Sequence, residues 1–176
     1  MPETLHISPA TEADIPALAV LVNSAYRGEV SQQGWTTEAH LLGGQRTDAE
    51  NLREMMAPEN ATILLARTAE GILVGCVYLQ HQADALYLGM LSVAPDRQAL
   101  GIGKKLMQAG EEYARKRGCP VMRITVISLR HELLAWYERH GYQRTGQTVP
   151  FPTDPRFGLP RQPLELLVLE KAIDNP

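Results

Sequence analysis

A strand pattern, a glycine-containing turn, an amphipathic helix pattern and a second strand pattern follow one another between residues 86 and 127. This succession is the feature that most limits how the chain can fold. The strand patterns are Leu86–Val93 and Val121–Ile127, and the helix carries an apolar stripe at Ile102, Leu106, Ala109 and Tyr113. Two strands joined by one helix form a βαβ unit, whose strands are parallel neighbours in a sheet. The sequence therefore predicts an α/β protein.

The flanking segments add further strands and helices to this unit. Strand patterns occupy residues 5–8, 62–67, 73–80 and 164–170, and Thr11 and Asp48 are typical of residues that begin helices. Another helix pattern runs over residues 130–140 and stops at Gly141. Residues 149–163 contain five prolines and are predicted to form a long loop without regular structure. We expect one domain over residues 1–176, because no linker or repeat divides the chain.

Composition and charge exclude several classes of partner. The chain has 20 acidic and 17 basic residues and a formal net charge of −3, so no general attraction to nucleic acid or to an anionic membrane is expected. No apolar run is long enough to span a bilayer, and the first residues lack the pattern of a secretion signal. Cys76 and Cys119 are isolated thiols and the five histidines are scattered, so we predict a cytoplasmic protein without a metal site.

The turn between the central strand and helix has the pattern Gln98-x-x-Gly101-x-Gly103. Glycines there allow close approach of an anion, and the helix that follows presents unpaired N–H groups, so a phosphate-bearing ligand is predicted. A P-loop fits poorly, because Gln98 stands where its first glycine would lie and Lys105 replaces its hydroxyl residue. A dinucleotide fingerprint fits poorly as well, because Leu106 stands at its third glycine. A general nucleotide-binding function is therefore disfavoured.

Two motifs together resemble those of the GNAT N-acetyltransferase family. The glycine pattern follows a strand that ends Leu91-Ser92-Val93-Ala94-Pro95, and the stretch Tyr137-Glu138-Arg139-His140-Gly141-Tyr142 lies downstream. Both motifs occur in the family's order and at about its spacing. The resemblance implies a central mixed sheet flanked by helices, in which two parallel strands splay apart. It also implies that acetyl-CoA, the acyl donor, lies in the opening between these strands.

The resemblance further implies which residues bind acetyl-CoA. Backbone amides of residues 99–104 would hold the pyrophosphate, and Gln98 would shape the loop. Backbone groups of Leu91 and Val93, on one strand face with Gly89, would pair with the pantetheine arm, and an N–H near Leu91 would stabilise the oxyanion. The complete predicted set is Leu91, Ser92, Val93, Gln98, Ala99, Leu100, Gly101, Ile102, Gly103, Lys104, Arg130 and Tyr137.

Tyr137 matches the family tyrosine that donates a proton to the departing thiolate, a role that suits a phenol protonated at neutral pH. It also shares a helix face with Leu133 and Leu134, so a purely core position is the alternative. Where the family often has asparagine, this chain has Arg130, and Leu133 replaces a small residue. Arg130 could instead reach a phosphate or a substrate carboxylate.

The base that would deprotonate an acceptor amine is not evident from the sequence, because the strand Leu86–Val93 contains no carboxylate. A water chain is one alternative, and the candidate side chains are His81, Asp84, Glu29, Glu38 and Asp48. Glu38 lies where the family places acceptor-binding elements and is the second predicted catalytic residue. Trp35, Phe151 and Phe157 could supply apolar acceptor walls. Arg46, Arg156 and Arg161 could clamp an acid, whereas the acidic residues could hold a cation, so these residues do not identify the acceptor.

The leading functional hypothesis is an enzyme that moves an acetyl group from acetyl-CoA to a primary amine of a small molecule or peptide. Transfer would occur by direct attack, since no cysteine or serine in the motifs is placed as a nucleophile beside a histidine. A non-catalytic acyl-CoA-binding sensor is the alternative, and a homodimer is a further expectation by analogy with such folds.

Overall fold

The computed structural model describes residues 4–26, 39, 41–43, 45–98, 100–152 and 159–173. Four helices are present in these ranges: α1 (Ile15–Tyr26), α2 (Ala49–Met56), α3 (Ile102–Lys116) and α4 (His131–Arg139). The strands are β1 (Leu5–Pro9), β2 (Leu42–Gly43), β3 (Ala61–Thr68), β4 (Leu73–His81), β5 (Leu86–Val93), β6 (Val121–Ile127), β7 (Gln143–Pro150), β8 (Leu159–Pro160) and β9 (Glu165–Ala172).

Seven strands form one mixed sheet in the order β1-β3-β4-β5-β6-β9-β7, and β2 pairs with β8 in a separate small sheet. Only the central pair β5 and β6 is parallel among the described strand pairs; the others are antiparallel. The two parallel strands are joined through α3, as the βαβ pattern predicts. The predicted mixed α/β fold is confirmed.

Helices cover both faces of the large sheet. On one face, α3 buries Leu106 and Met107 against sheet residues such as Leu79 and Leu88. On the other face, α1 and α2 bury a second cluster that includes Ile15, Leu18, Val22, Leu52 and Ile63. Burial of apolar surface in both clusters stabilises a three-layer structure, with the sheet between two helical layers.

Two helix starts follow the local signals in the sequence. Thr11 forms a capping box with Asp14, whose carboxylate accepts a hydrogen bond from the Thr11 backbone N–H at 2.7 Å; the short 3-10 turn Glu12–Asp14 leads from there into α1. The Asp48 side chain accepts a hydrogen bond from the Asn51 backbone N–H at 2.8 Å and begins α2. Both predicted helix starts are therefore confirmed.

The parallel strands β5 and β6 separate soon after they meet. Their only paired positions are Leu86 with Met122 and Tyr87 with Arg123. From residue 88 to residue 93, β5 is paired on its β4 side but has no β6 partner. The Arg123 guanidinium closes the paired end through ion pairs with Asp84 at 3.0 Å and Glu170 at 2.7 Å. A wedge-shaped opening therefore lies between the two strands, as the family resemblance implies.

The C-terminal part differs from the prediction in three places. Residues 143–150, to which no strand was assigned, form β7; the last strand covers Glu165–Ala172 rather than 164–170; and the stretch 149–163 includes the strand residues Leu159 and Pro160. All residues of β7 are exposed. Its sequence accordingly lacks the alternation of apolar and polar residues from which a strand is predicted. Pairing with β9 determines its conformation instead. The contact with β9, and not the local sequence, therefore makes these residues a strand.

Candidate functional site

Two adjoining clefts open between the splayed strands. The first has a volume of about 260 Å³ and the second about 330 Å³. Residues that line both are Tyr26, Leu91, Arg130, Leu133 and Tyr137. The first cleft extends from these shared residues to the glycine loop at the start of α3, and the second extends between β5 and β6. The clefts therefore adjoin, with Tyr137 in the lining of both, and together they are called the channel.

The glycine loop presents the start of α3 to the first cleft. Gly101, the residue that precedes the helix, has φ +84°, a left-handed conformation that favours glycine. Gly101, Ile102, Gly103 and Lys104 all line the cleft, and the N–H groups of a first helical turn have no partners within the helix. With the positive end of the helix dipole, these groups create a favourable place for an anion.

The sequence-predicted loop residues have different positions relative to this cleft. Gln98 lines it and also donates a hydrogen bond from Nε2 to the Val93 carbonyl at 3.1 Å, which connects the loop to the end of β5. The Leu100 side chain is 66% exposed and does not line the cleft. Ala99 lies outside the described residues. Gln98 therefore has the contact expected of a residue that shapes the loop.

A β-bulge places Leu91 in the channel. Met90 has φ +51°, and the pairing between β4 and β5 gains one residue on β5 at this point. As a result Leu91 and Val93 pack on the same sheet face as Leu88, whereas Met90 packs on the opposite face. Strict alternation along β5 is interrupted there.

The bulge corrects the prediction that Gly89 shares a strand face with Leu91 and Val93. A side chain at Gly89 would meet the Tyr87 ring at 2.7 Å, and Tyr87 packs with Met90 on the other face. No local signal in the sequence indicates this bulge. Ser92, another predicted binding residue, is 1% exposed and its hydroxyl donates to the Met90 carbonyl at 3.0 Å. Its side chain is thus buried beneath the cleft.

Tyr137 is both a core residue and a lining residue of the clefts, the two alternatives that the sequence left open. Its side chain is 6% exposed and packs in the core, with ring contacts to Trp136 at 5.1 Å and Tyr142 at 5.5 Å. It also lines both clefts. Burial raises the pKa of the Tyr137 hydroxyl well above its ordinary value, so the phenol stays protonated at neutral pH. A buried proton donor therefore faces the channel.

Arg130 lies beside Tyr137 at the start of α4. It is 4% exposed, lines both clefts and has its guanidinium carbon 5.8 Å from the centre of the Tyr26 ring. The carboxylate of Glu132, on the same helix, is 3.8 Å from Nε of Arg130 and belongs to neither cleft lining. The structure therefore places a nearly buried cation at the junction of the clefts.

Several lining residues were not singled out from the sequence, among them Tyr26, Trp136 and His140. Tyr26, the last residue of α1, donates a hydrogen bond from its hydroxyl to the Leu91 carbonyl at 2.7 Å. Trp136 and His140 form a wall of the first cleft, with ring centres 4.3 Å apart. The spacing of Trp136 and His140 by one helical turn was a usable signal, since residues four apart share a helix face. No local signal connects Tyr26 with β5.

None of the described residues that line the two clefts is a carboxylate. Asp84 instead pairs with Arg123, and hydrogen bonds from that guanidinium lower the pKa of its carboxyl. Asp48 caps α2, and His81 lines neither cleft. Glu29 and Glu38 lie outside the described residues. The candidates Asp84, Asp48 and His81 are thus not placed where a base would have to act.

The residues predicted to contact the acceptor fall into three groups. Phe151 and Arg46 line the second cleft, as expected. Arg161 does not line it, and its backbone N–H donates to the Leu41 carbonyl at 2.9 Å. Trp35, Arg156 and Phe157 lie outside the described residues.

Within the described ranges, no group of His, Cys, Asp and Glu side chains could hold a metal ion. In the same ranges, no helix has the length and apolar character needed to cross a membrane.

Comparison with solved structures supports the fold. A ribosomal-protein-S18-alanine N-acetyltransferase from Escherichia coli superposes with a TM-score of 0.71, at 17% identity, over 98% of this chain and 96% of that one. A ribosomal-protein-alanine N-acetyltransferase from Brucella melitensis gives a TM-score of 0.69 at 25% identity, over 95% of this chain and 99% of that one. The likeness extends over nearly the entire chain.

Sequence comparison identifies the family. The chain is 33% identical over 118 residues to a Xenopus tropicalis protein described as a probable N-acetyltransferase, camello; the match spans 64% of this chain and 53% of that relative, about half its length. The profile of the acetyltransferase (GNAT) family matches residues 30–142, which include the glycine loop and Tyr137. Because this match covers well over half of the chain, the chain belongs to the GNAT acetyltransferase family.

Proposed function

We propose that the protein transfers an acetyl group from acetyl-CoA to a primary amine of a small molecule or peptide. The observation that carries this proposal is the position of Tyr137, a buried proton donor at the junction of two clefts. One cleft begins at the anion-binding end of α3, and the other provides room for an acceptor. A channel that joins a phosphate-binding end to a second compartment suits a two-substrate transfer.

The first cleft has groups that fit the parts of acetyl-CoA. The amides of residues 100–104 would bind the pyrophosphate, with Lys104 as an adjacent cation, and the amide of Ala99 remains a predicted contributor. The unpaired β6 side of β5, between residues 88 and 93, offers backbone groups to the pantetheine amides in the manner of an added strand. When bound, acetyl-CoA would supply an activated thioester.

Leu91 and Tyr137 would act on the reacting atoms. The acceptor nitrogen forms a bond to the acetyl carbon, and the Leu91 N–H is the proposed donor to the oxyanion that develops. As the carbon–sulfur bond breaks, Tyr137 would give its proton to the thiolate and regain one from solvent. The products are the acetylated amine and the free thiol, and the surplus proton of the amine leaves to water or a base. Glu38 remains the predicted side-chain base.

Binding and turnover together test this function. Calorimetry of the purified protein is carried out separately with acetyl-CoA, ATP and NAD. We expect micromolar binding of acetyl-CoA and no binding of ATP or NAD. Release of free thiol should then be measured with a panel of amines, against a blank without protein. Amine-dependent thiol release establishes the enzyme, whereas binding without release would indicate the acyl-CoA sensor. Absence of acetyl-CoA binding would contradict the proposal.

The pKa of Tyr137 leads to a prediction for the pH dependence of turnover. The donor is the neutral phenol, and a pKa raised above its ordinary value of 10.0 keeps this form present to higher pH. We expect kcat to rise with pH as the acceptor loses its proton, and not to fall before about pH 10. Initial rates from pH 6 to 10, corrected for uncatalysed hydrolysis, check this. A decline below pH 10 that disappears in Tyr137→Phe would refute it.

A further inference from the structure

The second cleft is positively charged. Arg46 and Arg130 both line it, and none of its described lining residues carries a negative charge. The guanidinium carbons of the two arginines lie 5.4 and 5.8 Å from the centre of the Tyr26 ring, which also lines this cleft, so both cations border it beside one residue. From this arrangement, and resting on the acetyl transfer proposed above, we infer that the acceptor is an amine that also bears a carboxylate, held by Arg46 and Arg130.

Arg46 is positioned by contacts with α1. Its backbone N–H donates to Oδ1 of Asn23 at 2.6 Å, and Nδ2 of the same asparagine donates to the Thr47 carbonyl at 3.0 Å. The partly exposed side chain lies against Tyr26, the final residue of the same helix. A guanidinium held in this way can bind a carboxylate through two parallel N–H donors, which a lysine ammonium cannot do.

Arg130 contributes a second, more deeply buried cation. A charge removed from water is costly unless an anion or hydrogen bonds compensate it, and a carboxylate bound in the cleft would add such compensation. The contact with Glu132 is 3.8 Å long and that carboxylate is 44% exposed, so its attraction for the guanidinium is screened by solvent. A ligand carboxylate in this cleft would lie in a compartment that both arginines line.

The same charges bear on deprotonation of the acceptor. Positive groups near an ammonium disfavour its charged form and lower its pKa, which increases the fraction of neutral, nucleophilic amine. Two arginines therefore assist loss of the acceptor's proton to water or to a base, although no described wall residue is a carboxylate. They also disfavour polycationic acceptors, which would bring further positive charge into this cleft.

The remaining wall indicates the shape of the acceptor. Much of it is apolar, formed by Met55, Leu88, Met90, Ile124, Val126 and Phe151. A volume of about 330 Å³ is at the small end of the range for ligand pockets. An amino acid with an apolar side chain has the three required features: an amine, a carboxylate and an apolar group.

The test compares amino acids with their amides, which lack the carboxylate. Thiol release is measured for apolar amino acids and the matching amides with the wild type and Arg46→Gln. We expect the acid-to-amide ratio of kcat/KM to fall about tenfold or more in the variant, through KM for the acid, as loss of a charge-assisted hydrogen bond implies. The acid-to-amide ratio of the variant is divided by that of the wild type. This division removes the effect on the rates of the different amine pKa values of the acid and the amide.

Two control variants and an independent binding measurement accompany this comparison. Arg46→Lys should recover part of the lost ratio, because it restores charge without the paired donors. Arg53→Gln removes an exposed arginine of α2 that pairs with Glu12 and lines neither cleft, so it should leave the ratio unchanged. The Kd for acetyl-CoA should be the same in all four proteins.

Contrary results separate this inference from the proposed function. Turnover of amines without turnover of any carboxylate-bearing amine would overturn the inference and leave acetyl transfer intact. Equal losses for acid and amide in Arg46→Gln would also overturn it, since they indicate a structural effect. Absence of acetyl-CoA binding would overturn the proposed function and the inference with it.

Discussion

Replacement of Tyr137 by phenylalanine is expected to lower kcat by about 100-fold, the usual contribution of a well-placed general acid. The departing thiolate would lose its proton donor, while the ring contacts with Trp136 and Tyr142 would remain. The Kd for acetyl-CoA and the free energy of unfolding should therefore change little. Steady-state kinetics, calorimetry and urea unfolding of the same preparation measure these three quantities.

Tyr142→Phe is the matched control. Tyr142 is 1% exposed, contacts the Tyr137 ring, and its hydroxyl has no hydrogen-bond partner among the described residues. Removal of an unsatisfied buried hydroxyl is expected to leave stability unchanged or to raise it by about 1 kcal/mol. Activity should stay near that of the wild type. Equal losses of kcat in the two variants would show that Tyr137 acts through packing and not as a proton donor.

Replacement of Gly101 by alanine is expected to weaken acetyl-CoA binding about tenfold, equivalent to about 1.4 kcal/mol. Among the described residues other than its two chain neighbours, none has an atom within 4 Å of the added methyl group, so no clash with them is introduced. The cost comes from φ +84°, since a left-handed conformation is unfavourable for alanine by about 1–2 kcal/mol. If the loop relaxes to relieve this strain, its N–H groups turn away from the phosphates.

Gly71→Ala is the control that distinguishes the effect of backbone strain on stability from an effect on ligand affinity. Gly71 has φ +85° and the same open surroundings, but it lies in the β3–β4 hairpin and lines neither cleft. Both variants should lose up to about 1–2 kcal/mol of unfolding free energy, and only Gly101→Ala should lose affinity for acetyl-CoA. An unchanged Kd in Gly101→Ala would show that the conformation of this loop does not determine phosphate binding.

Features of the fold that depend on local sequence were predictable. The βαβ unit follows from two strand patterns around an amphipathic helix, and the caps at Thr11 and Asp48 follow from side chains that bond nearby N–H groups. The glycine loop and Tyr137 were also identified, because their motifs lie within short stretches of chain. The glycine-loop end of the first cleft was therefore visible in the sequence.

Features that depend on distant contacts were not predictable. Strand β7 has no apolar alternation, and its pairing with β9 decides its conformation. Leu91 enters the channel because a bulge at Met90 shifts the register against β4. Tyr26 reaches Leu91 across the fold, although the two residues lie far apart in the chain.

The sequence by itself determined the mixed α/β class, the family and the glycine loop, because periodicity, capping and glycine placement act over a few residues. Only the tertiary structure decided that Tyr137 is both a core residue and a channel residue. It alone brought Arg46 and Arg130 into the lining of the second cleft, beside Tyr26. The physical reason is that burial and electrostatic surroundings arise from elements packed across the sheet, and no local pattern encodes those distances.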